Sequence, residues 1–217
     1  LAAQMEKRGH LRRLITTYPY FKVKEWGIPR RKVVSLLPLE VMNRSRRFFK
    51  NPGIISKLQR TLVDEATSHL IPKDSDLFIG WSGTFVKSLH KAKIMGIKTI
   101  LERGSSHILT QKEILEREYA EAGIAMSGSP WASVDRELEG YATADYIEVP
   151  SIFAVDSFRS RGFPNERLIK TGLGVDLSRF EKVNGDDGVF KIINVGQLSL
   201  QKGVRYLYQA LKGIDGT

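Results

Sequence analysis

The composition of this 217-residue chain excludes several classes of protein. Apolar residues make up 41% of it, which is enough for a buried core and too much for a chain that is disordered throughout. The absence of cysteine excludes disulfides, thiolate zinc sites and cysteine nucleophiles, and no apolar run approaches the roughly 20 residues that span a bilayer. We therefore expect a cytoplasmic protein, at most peripheral at the inner face of the membrane.

The net charge of +10 is concentrated near the start of the chain. Residues 1–60 contain fifteen Lys or Arg and three Asp or Glu. Residues 61–217 contain nineteen Lys or Arg and twenty-one Asp or Glu. Such a bias favours a polyanionic partner, namely phosphate groups, an anionic lipid surface or nucleic acid. The alternative is a solvated basic face without a dedicated partner.

Short β-branched or aromatic runs alternate with stretches of helical periodicity. In chain order we predict a helix ending at Gly9, strands at 11–16 and 32–37, a helix at 54–70, a strand at 76–80, a helix at 84–95, a strand at 97–101, helices at 109–122 and 130–144, a strand at 145–149, a helix at 151–161 capped by Ser151, strands at 167–170 and 189–195, and a helix at 203–212.

Strands separated by helices of about 10–15 residues indicate βαβ units. The predicted fold is therefore α/β, with a Rossmann-like, doubly wound and mainly parallel sheet. In such a sheet, ligand sites lie at the carboxyl ends of the strands. A polar, turn-rich stretch at 181–188 predicts a domain boundary there.

Two loops that follow predicted strands carry candidate binding residues. Gly196 ends one strand and lets a ligand approach the backbone closely, while Lys202 precedes the next helix, whose first amides favour an anion. This pattern suits a diphosphate, although strand–glycine–loop–lysine–helix arrangements also occur in unrelated α/β proteins. The loop 102–107 follows the strand at 97–101 and is predicted to face the same cleft.

Four segments in a fixed order resemble one enzyme family. They are 145–151 (Asp-Tyr-Ile-Glu-Val-Pro-Ser), 162–164 (Gly-Phe-Pro), 172–176 (Gly-Leu-Gly-Val-Asp) with Phe180, and 195–197 (Val-Gly-Gln) with Lys202-Gly203. Together they resemble the retaining GT-B glycosyltransferases of family 4, the "glycosyl transferases group 1". The opening residues 1–10 also look like the first helix of that family, so the resemblance covers nearly the whole chain.

The resemblance implies two domains and particular roles. Residues 1–182 would form the acceptor-side Rossmann-like domain without its first strand, and residues 183–217 the linker and the first βα unit of the donor domain. Gly196, Gln197 and Lys202 would bind the donor diphosphate. Gln197 stands where the family usually has arginine, so one expected charge is missing. Such a fragment is expected to be inactive alone.

The resemblance also implies an active-site residue and the ligands. His107 would orient or polarise the transferred sugar and the leaving phosphate, and Arg103, Ser105 and Ser106 would bind phosphate or sugar hydroxyls. The alternatives are a loop histidine that satisfies a backbone carbonyl, and serines that cap the next helix. The donor would be a nucleotide sugar such as a UDP- or GDP-sugar, and the acceptor a carbohydrate or a lipid-linked sugar. We expect no metal, no other cofactor and no nucleic-acid partner. We do expect a peripheral contact with an anionic membrane.

A second hypothesis is a basic α/β binding module without chemistry, which engages nucleic acid or an anionic membrane. Aromatic and basic residues interleave at 18–31, as they do in nucleic-acid platforms and interfacial anchors. Two alternatives are an acceptor-binding loop, in which an aromatic ring stacks on a sugar, and core packing of most of these aromatic residues. The pair Asp74 and Asp76 has the D-x-D form of some metal sites, but it precedes a strand, at the end of the sheet opposite the predicted cleft.

Overall fold

The computed structural model describes residues 1–126, 131–175, 177, 180–181, 188 and 191–212. Its strands are β1 (Leu14–Thr16), β2 (Val33–Ser35), β3 (Leu77–Trp81), β4 (Lys98–Glu102), β5 (Tyr146–Val149) and β6 (Leu168–Lys170). Its α-helices are α1 (Ala2–Lys7), α2 (Tyr20–Lys24), α3 (Leu37–Ser45), α4 (Pro52–Leu70), α5 (Lys87–Ile94), α6 (Ile108–Glu121), α7 (Val134–Thr143), α8 (Ile152–Arg159) and α9 (Val204–Leu211).

The strands form two parallel sheets. One sheet pairs β1 with β2, and the other has the order β3-β4-β5-β6, with every pair parallel. Helices connect the strands, as the alternation in the sequence predicted. The prediction of an α/β fold with parallel strands is therefore confirmed.

The main core lies between one face of the four-stranded sheet and the helices that follow its strands. Leu101 and Ile147 project from neighbouring positions of β4 and β5 and pack with Leu89 of α5, Tyr141 of α7 and Phe158 of α8. Successive side chains of a strand point to opposite faces, so the side chains at alternate positions lie on the other face of the sheet. Residues of that second face, such as Trp81 and Glu102, are only partly buried or are exposed.

A buried carboxylate holds three helices together. Asp64 of α4 accepts hydrogen bonds from the backbone amides of Val86, Lys87 and Ser88 at 2.9–3.0 Å, which are the first amides of α5. Arg136 of α7 forms an ion pair with the same carboxylate. Because α5 has no capping side chain of its own, Asp64 supplies its N-terminal cap from another helix.

Two parts of the predicted secondary structure need correction. Residues 191–195, the described part of the strand predicted at 189–195, form no strand. A strand forms by ladder pairing with a neighbouring strand, and no ladder of the described structure includes this segment. Secondly, α2 and α3 occupy residues for which no helix was predicted. The predicted cap at Ser151 is confirmed, because the Ala154 amide donates a hydrogen bond of 3.2 Å to the Ser151 hydroxyl.

The predicted domain boundary at 181–188 falls mostly outside the described residues.

None of the helices in the described part of the chain is long and apolar enough to cross a lipid bilayer.

Candidate functional site

Three side chains form a row across the carboxyl ends of β3, β4 and β5. Trp81 is the register partner of Glu102, and Glu102 is the register partner of Glu148. Partners in a parallel ladder place their side chains on the same face of a sheet. An indole ring and two carboxylates therefore meet at the edge where ligands bind in parallel α/β folds.

The indole ring of Trp81 lies against a glycine and faces solvent. Its exposed fraction is 56%. A methyl group added at Gly104 would come within 2.9 Å of the Trp81 ring, so only a glycine at this position leaves room for the indole where it lies. The result is a flat, exposed aromatic surface that is supported from behind by the backbone of the next loop.

The two carboxylates of the row differ in their surroundings. Burial and, after it, the Glu148 carboxylate raise the pKa of Glu102 above its usual value. Glu148 instead accepts a hydrogen bond from the hydroxyl of Thr171, which follows β6. Both carboxylates present oxygen acceptors beside the indole ring.

The loop after β4 is held by its own arginine. The Arg103 guanidinium is buried and donates to the Ser106 carbonyl at 3.0 Å, to Glu137 Oε1 at 2.9 Å and to the side chain of Gln111. Its partner Glu137 is equally buried. Arg103 thus ties this loop to α6 and α7, and its donors point into the protein.

His107 is the N-cap residue directly before α6 and is 5% exposed. Its Nδ1 accepts a hydrogen bond from the Leu109 amide at 3.2 Å, and its own amide donates to the Ser157 hydroxyl at 2.8 Å. The ring packs against both Tyr141 and Phe158, with ring centroids 5.1 and 4.9 Å away, and these two rings also contact each other. The helix cap is therefore His107, and neither Ser105, which is partly exposed, nor Ser106, which is buried, supplies it.

The surroundings of His107 disfavour its charged form. Burial, followed by the charges of Arg161 and Arg103, lowers the pKa of His107 to about 4. A neutral ring whose Nδ1 accepts a hydrogen bond carries its proton on Nε2. The role of His107 in catalysis stays a prediction, and its observable contributions are the cap of α6 and core packing.

The predicted donor-binding residues lie in the segment that precedes α9. Gly196, Gln197 and Lys202 are exposed, and Lys202 directly precedes Gly203, the left-handed N-cap of α9. Tyr206 of α9 donates a hydrogen bond of 2.7 Å to Glu118 near the end of α6. That contact lies roughly 15 Å along the helix from His107. Both α9 and the residues just before it thus contact α6, the helix that His107 caps.

The row of Trp81, Glu102 and Glu148 was not singled out from the sequence. Trp81 and Glu102 directly follow predicted strands, and Glu148 is the last residue but one of another, which was the available signal. Their meeting depends on the register of β3, β4 and β5, and strand register is a tertiary property. Within the described residues, no group of three or more His, Asp or Glu side chains is arranged to hold a metal ion.

The arrangement at this edge suits a polyhydroxylated ligand. The C–H groups on a sugar face carry slight positive charge and pack against the negative face of an indole ring. Carboxylate oxygens accept hydrogen bonds from neighbouring hydroxyls. Comparison with known proteins finds no match to a protein-family model, to a curated protein or to a solved structure.

Proposed function

We propose that this chain is the acceptor-side part of a glycosyltransferase, which moves a sugar from a nucleotide sugar to a carbohydrate or lipid-linked acceptor with retention at the anomeric carbon. Two features support the proposal. The first is the ordered resemblance from residue 145 to residue 203, and the second is the row of Trp81, Glu102 and Glu148 at the carboxyl edge of a parallel sheet.

The row carries the proposal, because it gives the acceptor a place to bind. The acceptor sugar stacks on the exposed face of Trp81, and its hydroxyls donate to Glu102 and Glu148. Glu102, with its raised pKa, is the group that exchanges a proton with the acceptor hydroxyl. Arg103 and Ser106 hold the loop beside this site, since the guanidinium donates to the Ser106 carbonyl.

The donor diphosphate is bound, in this proposal, by Lys202 and the first amides of α9. The end of a helix favours an anion, and the Lys202 ammonium adds a full positive charge beside it. Gln197 contributes a neutral hydrogen bond, and Gly196 allows close approach of the phosphate to the backbone. His107 keeps its predicted role beside the transferred sugar.

The test is a transfer assay on the full-length protein with UDP-, GDP- and ADP-sugars and a panel of oligosaccharide and lipid-linked acceptors. Release of nucleoside diphosphate and the anomeric configuration of the product are measured. We expect Trp81→Ala to raise the KM for the acceptor about tenfold or more, in line with about 0.5–1.5 kcal/mol of ring packing plus lost burial. Trp26→Ala, which removes another exposed indole, is the matched control and leaves KM unchanged.

The donor arm of the same assay uses a pair of lysine variants. We expect Lys202→Ala to weaken binding of the nucleotide sugar at least tenfold, because a charge-assisted hydrogen bond contributes about 1.5–3 kcal/mol. Lys212→Ala at the opposite end of α9 is the control. Failure of the full-length protein to transfer any sugar, or to bind any of the three nucleotide sugars, would refute the proposal.

A second candidate function, binding to an anionic membrane surface, is favoured by the tip of the α3–α4 hairpin. Two exposed aromatic residues lie at this tip, Phe48 with 77% and Phe49 with 51% exposure. Exposed basic residues surround them, among which are Arg46 and Lys50. Apolar side chains that enter the interface and basic ones that meet anionic headgroups are the two features of peripheral membrane segments.

Vesicle sedimentation separates membrane binding from the nucleic-acid alternative. We expect binding to vesicles that contain phosphatidylserine, weakened by salt and by the double variant Phe48→Ser/Phe49→Ser. Ile94→Ser, which removes an exposed apolar side chain elsewhere, leaves it unchanged. Salt-sensitive binding to DNA with no binding to vesicles would contradict the membrane surface and favour a nucleic-acid module.

A further inference from the structure

A small cavity lies beside the carboxyl ends of β1 and β3. Its volume is about 260 Å³. Polar side chains from three parts of the fold line it, namely Thr16 and Thr17 at the end of β1, Thr84 after β3, and Gln59 and Arg60 of α4. Pockets that enclose a whole small ligand measure roughly 300–1,000 Å³. This cavity therefore has room for one functional group of a larger ligand, at the edge where parallel sheets bind ligands.

Arg60 brings a positive charge without a counter-charge to this cavity. Its side chain is partly buried, and its guanidinium makes no hydrogen bond or ion pair with the residues that the structure describes. The nearest acidic residue along α4 is Asp64, whose carboxylate is already bound by the first amides of α5 and by Arg136. A partly buried charge without a partner costs free energy, which a bound anion recovers.

Two further donors in the cavity are also uncommitted. Neither the Gln59 amide nor the Thr84 hydroxyl forms a hydrogen bond within the described part of the chain. Thr17, in contrast, donates to Glu40 at 2.9 Å, and Glu40 is neutralised by Arg44 at the same distance. Free donors therefore lie on two walls of the cavity, one formed by α4 and the other by the loop after β3.

We propose that this cavity binds a phosphate group of the acceptor. A planar carboxylate satisfies both of its oxygens on one guanidinium fork, whereas a tetrahedral phosphate has further oxygens that reach donors on another wall. Arg60 holds the group through charge-assisted hydrogen bonds, and Gln59 and Thr84 bind its remaining oxygens. The inference rests on the proposed function in one respect, which is that the phosphate belongs to the acceptor.

The cavity adjoins the residue on which the acceptor sugar stacks in the proposed function. The Thr84 amide donates a hydrogen bond of 3.4 Å to the Trp81 carbonyl, so a single turn of the chain separates the cavity wall from the indole. A phosphate in the cavity and a sugar on Trp81 thus fit one molecule. The substrate class is a phosphorylated acceptor, and a soluble sugar phosphate and a phospholipid head group share this chemistry.

Modification of arginine by phenylglyoxal tests the site in the full-length protein. The rate at which each arginine reacts is measured by peptide mass spectrometry at increasing concentrations of inorganic phosphate. We expect modification of Arg60 to slow about tenfold when phosphate is at about ten times its Kd, because only the free site reacts. Arg117 of α6, which is exposed and also has no partner among the described residues, is the internal control and keeps its rate.

A threonine pair tests the opposite wall while Arg60 stays in place. Thr84→Val removes a donor of similar size to the side chain that replaces it, and we expect phosphate to protect Arg60 with a Kd about threefold higher or more, as for one neutral hydrogen bond. Thr61→Val makes the same change at an exposed threonine of α4 outside the cavity and leaves the Kd unchanged. Equal effects of the two variants would overturn the assignment of Thr84.

Transfer assays connect the site to the acceptor. We expect Arg60→Gln to raise the KM for a phosphorylated acceptor about tenfold, because charge-assisted hydrogen bonds are lost. Lys57→Gln, the same change of charge at an exposed position of α4, is the matched control. Glucose 6-phosphate and vesicles of phosphatidylglycerol distinguish the two sources. Protection of Arg60 by the first identifies a soluble sugar phosphate, and protection by the vesicles alone identifies a lipid head group.

The outcomes separate this site from the proposed function. Absence of protection, or equal protection of Arg60 and Arg117, would overturn the phosphate site. Protection of Arg60 in a protein that transfers no sugar would support the phosphate site and refute sugar transfer. Transfer with the same KM for phosphorylated and unphosphorylated acceptors, unaffected by Arg60→Gln, would support sugar transfer and overturn the phosphate site.

Discussion

Arg103 and His107 follow the same strand within five residues, and both side chains turn into the protein. Charged and polar residues after a parallel strand usually face the ligand, which is why the sequence placed them in the site. Here their donors and acceptors serve the loop itself. The groups that face solvent at this edge are Trp81 and Glu102, the last residues of β3 and β4. Arg103 and His107 therefore hold the loop that supports these two side chains.

The Arg103–Glu137 ion pair offers a stability test. Arg103→Met leaves a buried carboxylate without its counter-charge, and we expect the free energy of unfolding in urea to fall by about 3 kcal/mol. The double variant Arg103→Met/Glu137→Leu removes both charges and is expected to recover at least half of that loss. A double variant less stable than the single one would show that the pair itself is strongly stabilising.

A pH titration tests the environment of His107. Its pKa is about 4 in the folded protein and about 6.5 in the unfolded chain, so protons bind the unfolded chain preferentially between these values. The stabilisation is complete above pH 6.5 and is lost as the pH falls toward 4, by about 3 kcal/mol. His107→Asn, which keeps a capping side chain but does not titrate, removes this part of the pH dependence.

The measurement is urea unfolding at pH 7, 6, 5 and 4.5, with the pH slopes rather than the absolute stabilities compared. The His10→Asn variant makes the same substitution at an exposed histidine and is the control. Equal slopes for His107→Asn and the parent chain would contradict a lowered pKa at this position.

At the scale of elements, the N-terminal cap of α5 comes from a residue that lies 22 positions earlier in the chain than the first amide it accepts from. Asp64 accepts hydrogen bonds from the first amides of α5 and also forms an ion pair with Arg136. One side chain therefore fixes the relative placement of α4, α5 and α7. No local signal marks such a cap, since sequence rules for helix starts look at the residue next to the helix. The helix itself was predictable from its periodicity.

Asp64→Asn tests this cap. The amide keeps one acceptor oxygen but loses the charge opposite Arg136, so we expect a loss of about 3 kcal/mol in the free energy of unfolding. Asp156→Asn on α8, an exposed carboxylate beside Arg159, is the matched control and is expected to change it by less than about 0.5 kcal/mol. Equal effects of the two variants in urea unfolding would contradict the capping role.

The predicted and observed elements differ where local patterns are ambiguous. The long helix α4 and the strands β3 to β6 follow clear periodicities and appear within a few residues of their predicted bounds. The apolar run at 32–37 gave no sign that β2 ends at Ser35 and that α3 begins at Leu37, with a proline in its first turn. The row of Trp81, Glu102 and Glu148 could not be predicted because it is created by strand register.

At the scale of the whole molecule, burial is uneven. The four-stranded sheet and its helices share one core, whereas the segment before α9 exposes a series of large apolar side chains. Val195 is 92% exposed, and Ile193 and Leu198 are similarly open. An exposed apolar series of this kind marks an interaction surface or an aggregation hazard, and it adds nothing to the core.

The variant Ile193→Ser/Val195→Ser tests whether this exposed segment contributes to the stability of the core. We expect the free energy of unfolding to change by less than about 0.5 kcal/mol, because neither side chain is buried, while self-association in sedimentation decreases. Ile147→Ser in the core is the contrasting variant and is expected to lose at least about 3 kcal/mol. A large loss of stability in the first variant would mean that this segment packs in solution.

Trp81 gives the protein an optical reporter at the edge of the sheet. An indole ring in water emits at longer wavelengths than one that is covered, so a ligand stacked on Trp81 shifts its fluorescence to the blue. Replacing Trp26 and Trp131 by phenylalanine leaves Trp81 as the single indole emitter, since the chain has three tryptophans. Screening for ligands can then proceed by titration alone, before any substrate or reaction is identified.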